Sequence, residues 1–309
     1  MKSDSINSKV NIFLRDGVAP LGLILESQMM EDVRSLIVGE GFEDGRHYLV
    51  NESPDILIRL FRQISNHEEV KCFLNELTDY SGSKVFILPP FEIIKNMLPD
   101  VGQWTWHCDA DEEFADPNCD RYLDDAKYVY GKIGIYLQGN GEWGGSIDYL
   151  SRSHKHVRRT HSFIGKLRPF RFRLLQFVYT RIGAWFPSAL NRLSEIILPG
   201  FKCHFSVPGH AVVFDSRLIH RPSPLKIKGL SGCDGLYNRP SRGIQKIAIY
   251  LQFGNHLGLT SYWRSRKKFS HRLEEMELWK RVLACDSEVY PDCLRDDINQ
   301  IFLEVISES

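Results

Sequence analysis

The stretch YVYGKIGIYLQGNGEWGGSIDYL, residues 128–150, indicates a β-rich fold. Two runs rich in β-branched and aromatic residues flank NGEWGG, whose glycine and asparagine content is typical of a tight connection between strands. Runs of the same texture recur from residue 84 onward, as VFILPP, WTWH, CHFSV, AVVFD and KIAIYLQF. Many short strands of this kind favour an antiparallel sandwich or jelly roll over a parallel α/β sheet.

Helical patterns flank the strand region. NIFLRDGVAPLGLIL (11–25) is interpreted as a short extended segment, and SQMMEDVRSLIV (27–38) as the helix that follows it. After the last strand, HRLEEMELWKRVL (271–283) and RDDINQIFLEVIS (295–307) again show helical periodicity. We therefore expect a mainly β fold with α flanks.

The chain contains no internal repeat and no composition break typical of an interdomain linker. We expect one domain over residues 1–309, with a β core at 84–254 and C-terminal helices at 255–309.

A basic, aromatic segment interrupts the strand pattern. Residues 152–194 contain ten Lys or Arg residues and no Asp or Glu, and we expect a helical insert at 152–200. Three interpretations are open: a cover over the site, a cationic platform for an anionic substrate such as a phosphorylated, nucleotide-linked or coenzyme-A-linked molecule, or peripheral attachment to a membrane surface.

Composition restricts the partners. The 39 basic and 39 acidic side chains cancel, so no long-range field draws nucleic acid to the chain and no nucleic-acid partner is expected. The seven cysteines show no CxxC spacing, and the N-terminal residues lack the apolar core of a signal peptide. We expect a cytoplasmic protein with free thiols and no transmembrane segment; the sequence does not indicate an oligomeric state.

Three residues have the chemistry of a metal site. His107 and Asp109 are two apart in WTWHCDADEEF, so on an extended strand both side chains point to one face. His220 follows the run AVVFDSRLI and adds a second imidazole. Two histidines and one carboxylate occupy one face of an octahedral iron(II) and leave three positions open. His204 and His210 are rivals for the third ligand, although His210 follows a glycine at a turn and is expected to be structural.

Four motifs in order make the pattern more specific. FLRDGVAPLGLIL (13–25), WTWHCDADEEF (104–114), EWGGSIDYLSRSHK (142–155) and AVVFDSRLIHRPSP (211–224) resemble the motifs of the phytanoyl-CoA dioxygenase family. The resemblance implies a double-stranded β-helix, a cupin-like jelly roll, with Fe(II) on His107, Asp109 and His220 as catalytic metal ligands. It also implies an Fe(II)/2-oxoglutarate-dependent dioxygenase, an oxidoreductase with O2 and 2-oxoglutarate as co-substrates. Such an enzyme forms succinate and CO2 while it hydroxylates a small or carrier-linked molecule.

The anchor for 2-oxoglutarate departs from the family pattern. The family places an arginine near the start of the strand after the distal histidine, whereas here Lys246 occupies that position and Arg242 lies four residues earlier. A lysine holds a carboxylate as a point charge and not as a bidentate fork. We favour Lys246 over Arg242. Gln138 is a further cofactor-binding candidate, and Trp104 and Tyr136 also lie on strands expected to line the barrel.

Two other functions follow from the same residues. The unusual anchor is compatible with a catalytically inactive β-helix binding protein, in which no succinate forms. A cupin-like metalloenzyme that does not use 2-oxoglutarate would bind the metal without any spectral response to the co-substrate.

Overall fold

The computed structural model describes residues 8–39, 42–49, 53–95, 107–110, 125, 127–139, 147–155, 196, 200–204, 206–222 and 246–267. The strands in this part are β1 Val18–Leu23, β2 Gly45–Tyr48, β3 Val85–Lys95, β4 Tyr130–Tyr136, β5 Ile147–Leu150, β6 Phe201–His204, β7 His210–Asp215, β8 His220–Pro222 and β9 Ile247–Asn255. The helices are α1 Lys9–Asp16, α2 Ser27–Gly39, α3 Asp55–Asn66, α4 Glu68–Ser81 and α5 His256–Lys267, and Ser153–Lys155 forms one 3-10 turn.

Two antiparallel sheets account for the described strands. The larger sheet has six strands in the order β1-β7-β4-β9-β3-β2, and the smaller has three in the order β6-β5-β8. Every pair of these strands is antiparallel, as in a sandwich and unlike a parallel α/β sheet. The prediction of a mainly antiparallel β fold with flanking helices is therefore confirmed.

The pairing register decides which side chains share a face of the larger sheet. Glu92 on β3, Tyr250 on β9, Gly134 on β4 and Val212 on β7 are successive partners across four strands. Because side chains alternate along a strand, these positions point to one face, and Lys132, two residues before Gly134, points with them. We call it the inner face.

The inner face packs against the smaller sheet. Val18, Val212 and Phe214 of the larger sheet form one buried apolar cluster with Ile147 of β5 and with Leu218 in the turn before β8. Burial of these side chains holds the two sheets together, since it removes apolar surface from water. The space between the two sheets is therefore filled, around these side chains, by a packed apolar core.

The opposite, outer face is covered by the N-terminal helices. Phe253 of β9 packs against Phe13 of α1 at 5.9 Å and against Phe73 of α4 at 5.7 Å between ring centroids. Phe13 and Phe73 also meet each other edge to face, at 5.4 Å. All three rings are buried, and such aromatic contacts contribute beyond the area they bury.

The extended segment predicted for residues 11–25 is wrong in its first half, because α1 occupies Lys9–Asp16. The Ser8 hydroxyl accepts a hydrogen bond from the Asn11 backbone N–H and caps the helix start. Gly17, at φ 82°, ends the helix and donates its N–H to the Phe13 carbonyl. Capping at both ends stabilises a helix that is only two turns long.

Other predictions lie outside the described residues. Of the insert predicted at 152–200, the structure describes 152–155, 196 and 200, and the helical patterns at 271–283 and 295–307 also lie outside. None of the described helices combines the length and the apolar character that a bilayer-spanning helix needs.

Candidate metal centre

Backbone pairing brings the first and third predicted ligands together. His107 donates its backbone N–H to the His220 carbonyl at 3.0 Å, and His220 donates to the His107 carbonyl at 2.8 Å. This reciprocal pair forms an isolated antiparallel bridge beside β8. The Ala110 N–H donates to the Ser216 carbonyl at 3.0 Å. Residues 107–110 are therefore held at both ends against the segment that leads into His220.

The three side chains converge. The His107 Nε2 and His220 Nε2 atoms lie 3.9 and 4.0 Å from Asp109 Oδ1, and the two imidazole rings are 4.5 Å apart between centroids. One ligand atom from each residue lies within 4.8 Å of the others. Ligand atoms on one face of an octahedral ion, bound at about 2.0–2.2 Å, lie roughly 3 Å apart, so the three side chains would have to close by about 1 Å around a shared ion.

The local geometry of Asp109 differs from the prediction. We expected His107 and Asp109 on one strand, with their side chains aligned by alternation. The structure has a single bridge residue at His107 and a turn at Asp109 and Ala110. This turn, held by the backbone hydrogen bond between Ala110 and Ser216, therefore places the Asp109 carboxylate beside His107. Alternation along a strand does not.

The His220 ring is oriented by its own backbone. Its Nδ1 lies 2.9 Å from the Leu218 carbonyl oxygen, and a carbonyl only accepts, so Nδ1 carries the proton and Nε2 keeps its lone pair. The Phe214 ring packs on the imidazole at 5.1 Å. Burial, followed by the nearby His107, lowers the pKa of His220 to about 4. The ring is therefore neutral near pH 7, which is the form that binds a metal.

Asp109 is kept ionised by the charges around it. Burial favours the neutral acid, but the Lys132 ammonium outweighs it and holds the pKa of Asp109 well below its usual range. The Lys132 Nζ lies 3.1 Å from Asp109 Oδ2, while Oδ1 faces the histidines. The centre therefore presents two imidazole nitrogens and one carboxylate oxygen, a donor set that suits a divalent transition metal such as iron(II).

Further polar side chains of the inner face lie near this centre. The Tyr250 hydroxyl is 3.3 Å from the Tyr136 hydroxyl, and burial raises the pKa of Tyr250 to about 12, so the phenol stays protonated. Arg46 of β2 lies 3.8 Å from Glu92 of β3. The charges of Asp109, Glu92 and Arg46 all act on Tyr250. The inner face is thus polar around the metal ligands and apolar where the sheets pack.

Sequence reasoning missed Lys132, Tyr250, Arg46 and Glu92. Lys132, Gly134 and Tyr136 lie two residues apart on a run already predicted to be a strand, so their positions share one face. The inward direction of Lys132 therefore follows once one of the others is known to face inward. The contact between Lys132 and Asp109 could not be predicted from that pattern, because β4 and the turn at 107–110 come together only in the tertiary structure.

Lys246 and Gln138 lie next to each other at the start of β9. Lys246 is 9% exposed and precedes β9 with the same alternation as Ala248 and Tyr250, which places it on the inner side. Gln138 is buried, and its Oε1 accepts from the Ile247 backbone N–H at 2.8 Å. Within the described residues, the Gln138 Nε2 is buried without a hydrogen-bond partner. This end of the strand therefore offers a cation and an unused amide donor.

Of the remaining candidates Tyr136, Arg242 and Trp104, the structure describes only Tyr136. Tyr136 is buried in the core between the sheets, whereas Arg242 and Trp104 lie outside the described residues. In the part of the chain that the structure describes, only His107, Asp109 and His220 form a metal-binding group of three. His204 ends β6 and His210 begins β7, and neither joins the group.

Comparison with known proteins gives structural matches only. No family model matches the sequence, and no curated protein matches it. Similar solved structures include HygX from Streptomyces hygroscopicus with nickel and 2-oxoglutarate bound (TM-score 0.45, 13% identity, 80% of this chain and 86% of that chain). They also include EctD from S. alaskensis with bound Fe (TM-score 0.46, 14% identity, 83% and 79%). A third is SnoN, a non-heme alpha ketoglutarate dependent epimerase from nogalamycin biosynthesis (TM-score 0.42, 13% identity, 80% and 81%). These descriptions of metal and co-substrate belong to those proteins.

Proposed function

We propose that this protein is an Fe(II)- and 2-oxoglutarate-dependent dioxygenase that hydroxylates a small or carrier-linked molecule and forms succinate and CO2. The observation that carries the proposal is the convergence of His107, Asp109 and His220, two imidazoles and one ionised carboxylate. Bound there, iron(II) would supply the oxidative chemistry with O2 and 2-oxoglutarate, while the protein supplies binding and orientation.

The proposed fold is a double-stranded β-helix. Two antiparallel sheets packed through a shared apolar cluster support it. The site draws on both sheets, because His107 and His220 pair beside β8 of the smaller sheet, whereas Lys132 reaches Asp109 from β4 of the larger one. Asp109 and His220 are largely buried between the sheets, whereas 41% of the His107 side chain is exposed, so the site opens to solvent at His107.

The proposed anchor for 2-oxoglutarate is Lys246 with Gln138. The Lys246 ammonium would attract the distal carboxylate, and the buried Gln138 Nε2 would donate a hydrogen bond to it. An amide N–H left buried without a partner is costly, so a bound carboxylate would stabilise both groups. Arg242 remains the alternative cation, predicted from the sequence alone.

The substrate and partners are proposed from composition. The basic segment 152–194 would form a cover over the site; a cationic platform for an anionic group of the substrate is the second interpretation, and membrane-surface contact is the third. We propose a cytoplasmic enzyme without a nucleic-acid partner. The cationic-platform interpretation is tested by measuring the binding of a carrier-linked anion to the full chain at two salt concentrations. Salt screens charges, so higher salt should weaken such an interaction.

Anaerobic titration tests the metal and the co-substrate together. Addition of iron(II) and then of 2-oxoglutarate to the metal-free protein should produce the visible charge-transfer band of the chelate. Metal binding without that band would favour the cupin-like enzyme that does not use 2-oxoglutarate. A band without any succinate on exposure to air would favour the inactive binding protein.

Asp109→Ala tests the ligand set. It should abolish succinate formation, because the metal loses its carboxylate ligand. Asp79→Ala, which removes an exposed carboxylate from α4, is the matched control and should leave succinate formation unchanged. Wild-type turnover in the Asp109 variant would contradict the assignment.

A further inference from the structure

The two oxygens of Asp109 have different surroundings. Oδ1 lies 3.9 and 4.0 Å from the two histidine Nε2 atoms. Oδ2 lies 3.1 Å from the Lys132 Nζ. One oxygen therefore faces the metal ligands, and the other faces a cation of the larger sheet.

We propose that Lys132 is a positioning residue that reserves Asp109 Oδ2, so that the carboxylate binds the metal through Oδ1 alone. The inference rests on the proposed metal centre and adds a role that the family resemblance does not assign. The contact is a largely buried ion pair at 3.1 Å and not a hydrogen bond, because Oδ2 has no hydrogen-bond partner among the described residues. For the metal to take both oxygens, the carboxylate must rotate away from the lysine.

The backbone of Lys132 is held rigidly. β4 lies between β7 and β9, so Lys132 is paired with Phe214 on one side and with Gln252 on the other. The Gln252 side chain is itself fixed, since its Oε1 accepts from the Tyr130 hydroxyl. The Lys132 ammonium is therefore attached to a strand in the interior of the sheet and not to an edge strand or a loop.

The consequence concerns the open coordination positions. With Oδ1 and two Nε2 atoms, three of six octahedral positions are used and three stay open. A carboxylate bound through both oxygens would use a fourth, leaving two for a chelating co-substrate and none for dioxygen. Lys132 would therefore protect the position that the proposed reaction needs.

A competing role for Lys132 is direct contact with the co-substrate. The structure favours the role toward Asp109, because the Lys132 ammonium lies 3.1 Å from Asp109 Oδ2. The two roles differ in a measurable way: only a role through Asp109 changes the metal's ligand field before 2-oxoglutarate is added.

The test uses cobalt(II) as the probe, bound anaerobically to the metal-free full chain, because its d–d bands weaken as the coordination number rises. Lys132→Met keeps the length of the side chain and removes the charge. Lys84→Met, which changes an exposed lysine immediately before β3, is the matched control. The same Lys132 change is also made in the Asp109→Asn background, where the amide nitrogen is not a ligand and binding through one oxygen is enforced.

We expect Lys132→Met to weaken the d–d bands and to lower the affinity for 2-oxoglutarate by about tenfold or more, the scale of losing one partner of a buried charge pair. In the Asp109→Asn background the lysine change should leave the bands unaltered. Lys84→Met should match the wild type. If Lys132→Met does not fold by circular dichroism, Lys132→Leu gives the same comparison.

Three results would overturn the inference: unchanged bands in the lysine variant, an equal change in the Asp109→Asn background, or a loss of 2-oxoglutarate affinity alone. The last would assign Lys132 to the co-substrate. Failure of the proposed function would be distinct, since the wild type itself would then bind no cobalt(II), or would bind it without any response of the d–d bands to 2-oxoglutarate.

Discussion

Replacing Lys246 by methionine should remove both the affinity of the protein for 2-oxoglutarate and the pH dependence of that affinity. Lys246 is buried at the start of β9, and burial lowers its pKa from 10.5 to about 8. Raising the pH through 8 removes the proton from the ammonium. The neutral amine no longer attracts a carboxylate, so affinity falls as pH rises.

The magnitude follows from that pKa. With a value of about 8, roughly nine-tenths of the side chain is protonated at pH 7 and about one-tenth at pH 9, so binding should weaken about tenfold over this range. An ordinary lysine would lose only about 3% of its charge. Loss of one partner of a buried charge pair costs about 2–5 kcal/mol, so the methionine variant should bind roughly 30-fold more weakly or worse at pH 7.

The assay is calorimetric titration of 2-oxoglutarate into the nickel(II)-loaded protein at pH 7, 8 and 9, since nickel(II) does not turn over. Arg242→Met tests the alternative anchor, and Lys84→Met is the control for loss of an exposed charge. Only one of the two anchor variants should lose affinity. Equal pH slopes in the wild type and in Lys246→Met would refute the reasoning for Lys246, and an effect in neither variant would exclude both anchors.

Two predictions concern the fold, each measured by urea denaturation followed with circular dichroism. Gly17→Ala should destabilise the protein by about 1–3 kcal/mol, because Gly17 has φ 82° and an added Cβ would lie 2.6 Å from both His154 Nδ1 and Leu218 Cδ1. Gly39→Ala is the control, since nothing lies within 4 Å of a Cβ added there. Equal stability of the two variants would contradict this account. Phe253→Ala should lower the free energy of unfolding by about 3–5 kcal/mol, since the ring is buried between Phe13 and Phe73. The control is Leu23→Ala, at an exposed position. If Phe253→Ala lowers stability no more than this control does, the aromatic cluster does not stabilise the outer face.

The helix at Ser27–Gly39 and the strands of the second half were predictable because their apolar periodicity is local. Alternating or continuous β-type runs marked β4, β7 and β9, and the residue types at 107, 109 and 220 marked the candidate ligands. α1 was not predicted. Its stability depends on two caps, at Ser8 and Gly17, and on burial of Phe13 against the outer face, and only the caps are local.

The amino-acid sequence by itself determined the secondary structure of the sheets and the identity of the three candidate ligands, since both depend on residue type and short-range spacing. Only the tertiary structure decided that Asp109 lies in a turn, that its second oxygen meets Lys132, and that Lys246 and Gln138 share one end of β9. These relations depend on strand register and on contacts between residues remote in the chain. No local pattern specifies them, because a shift of one residue in register would turn Lys132 to the opposite face.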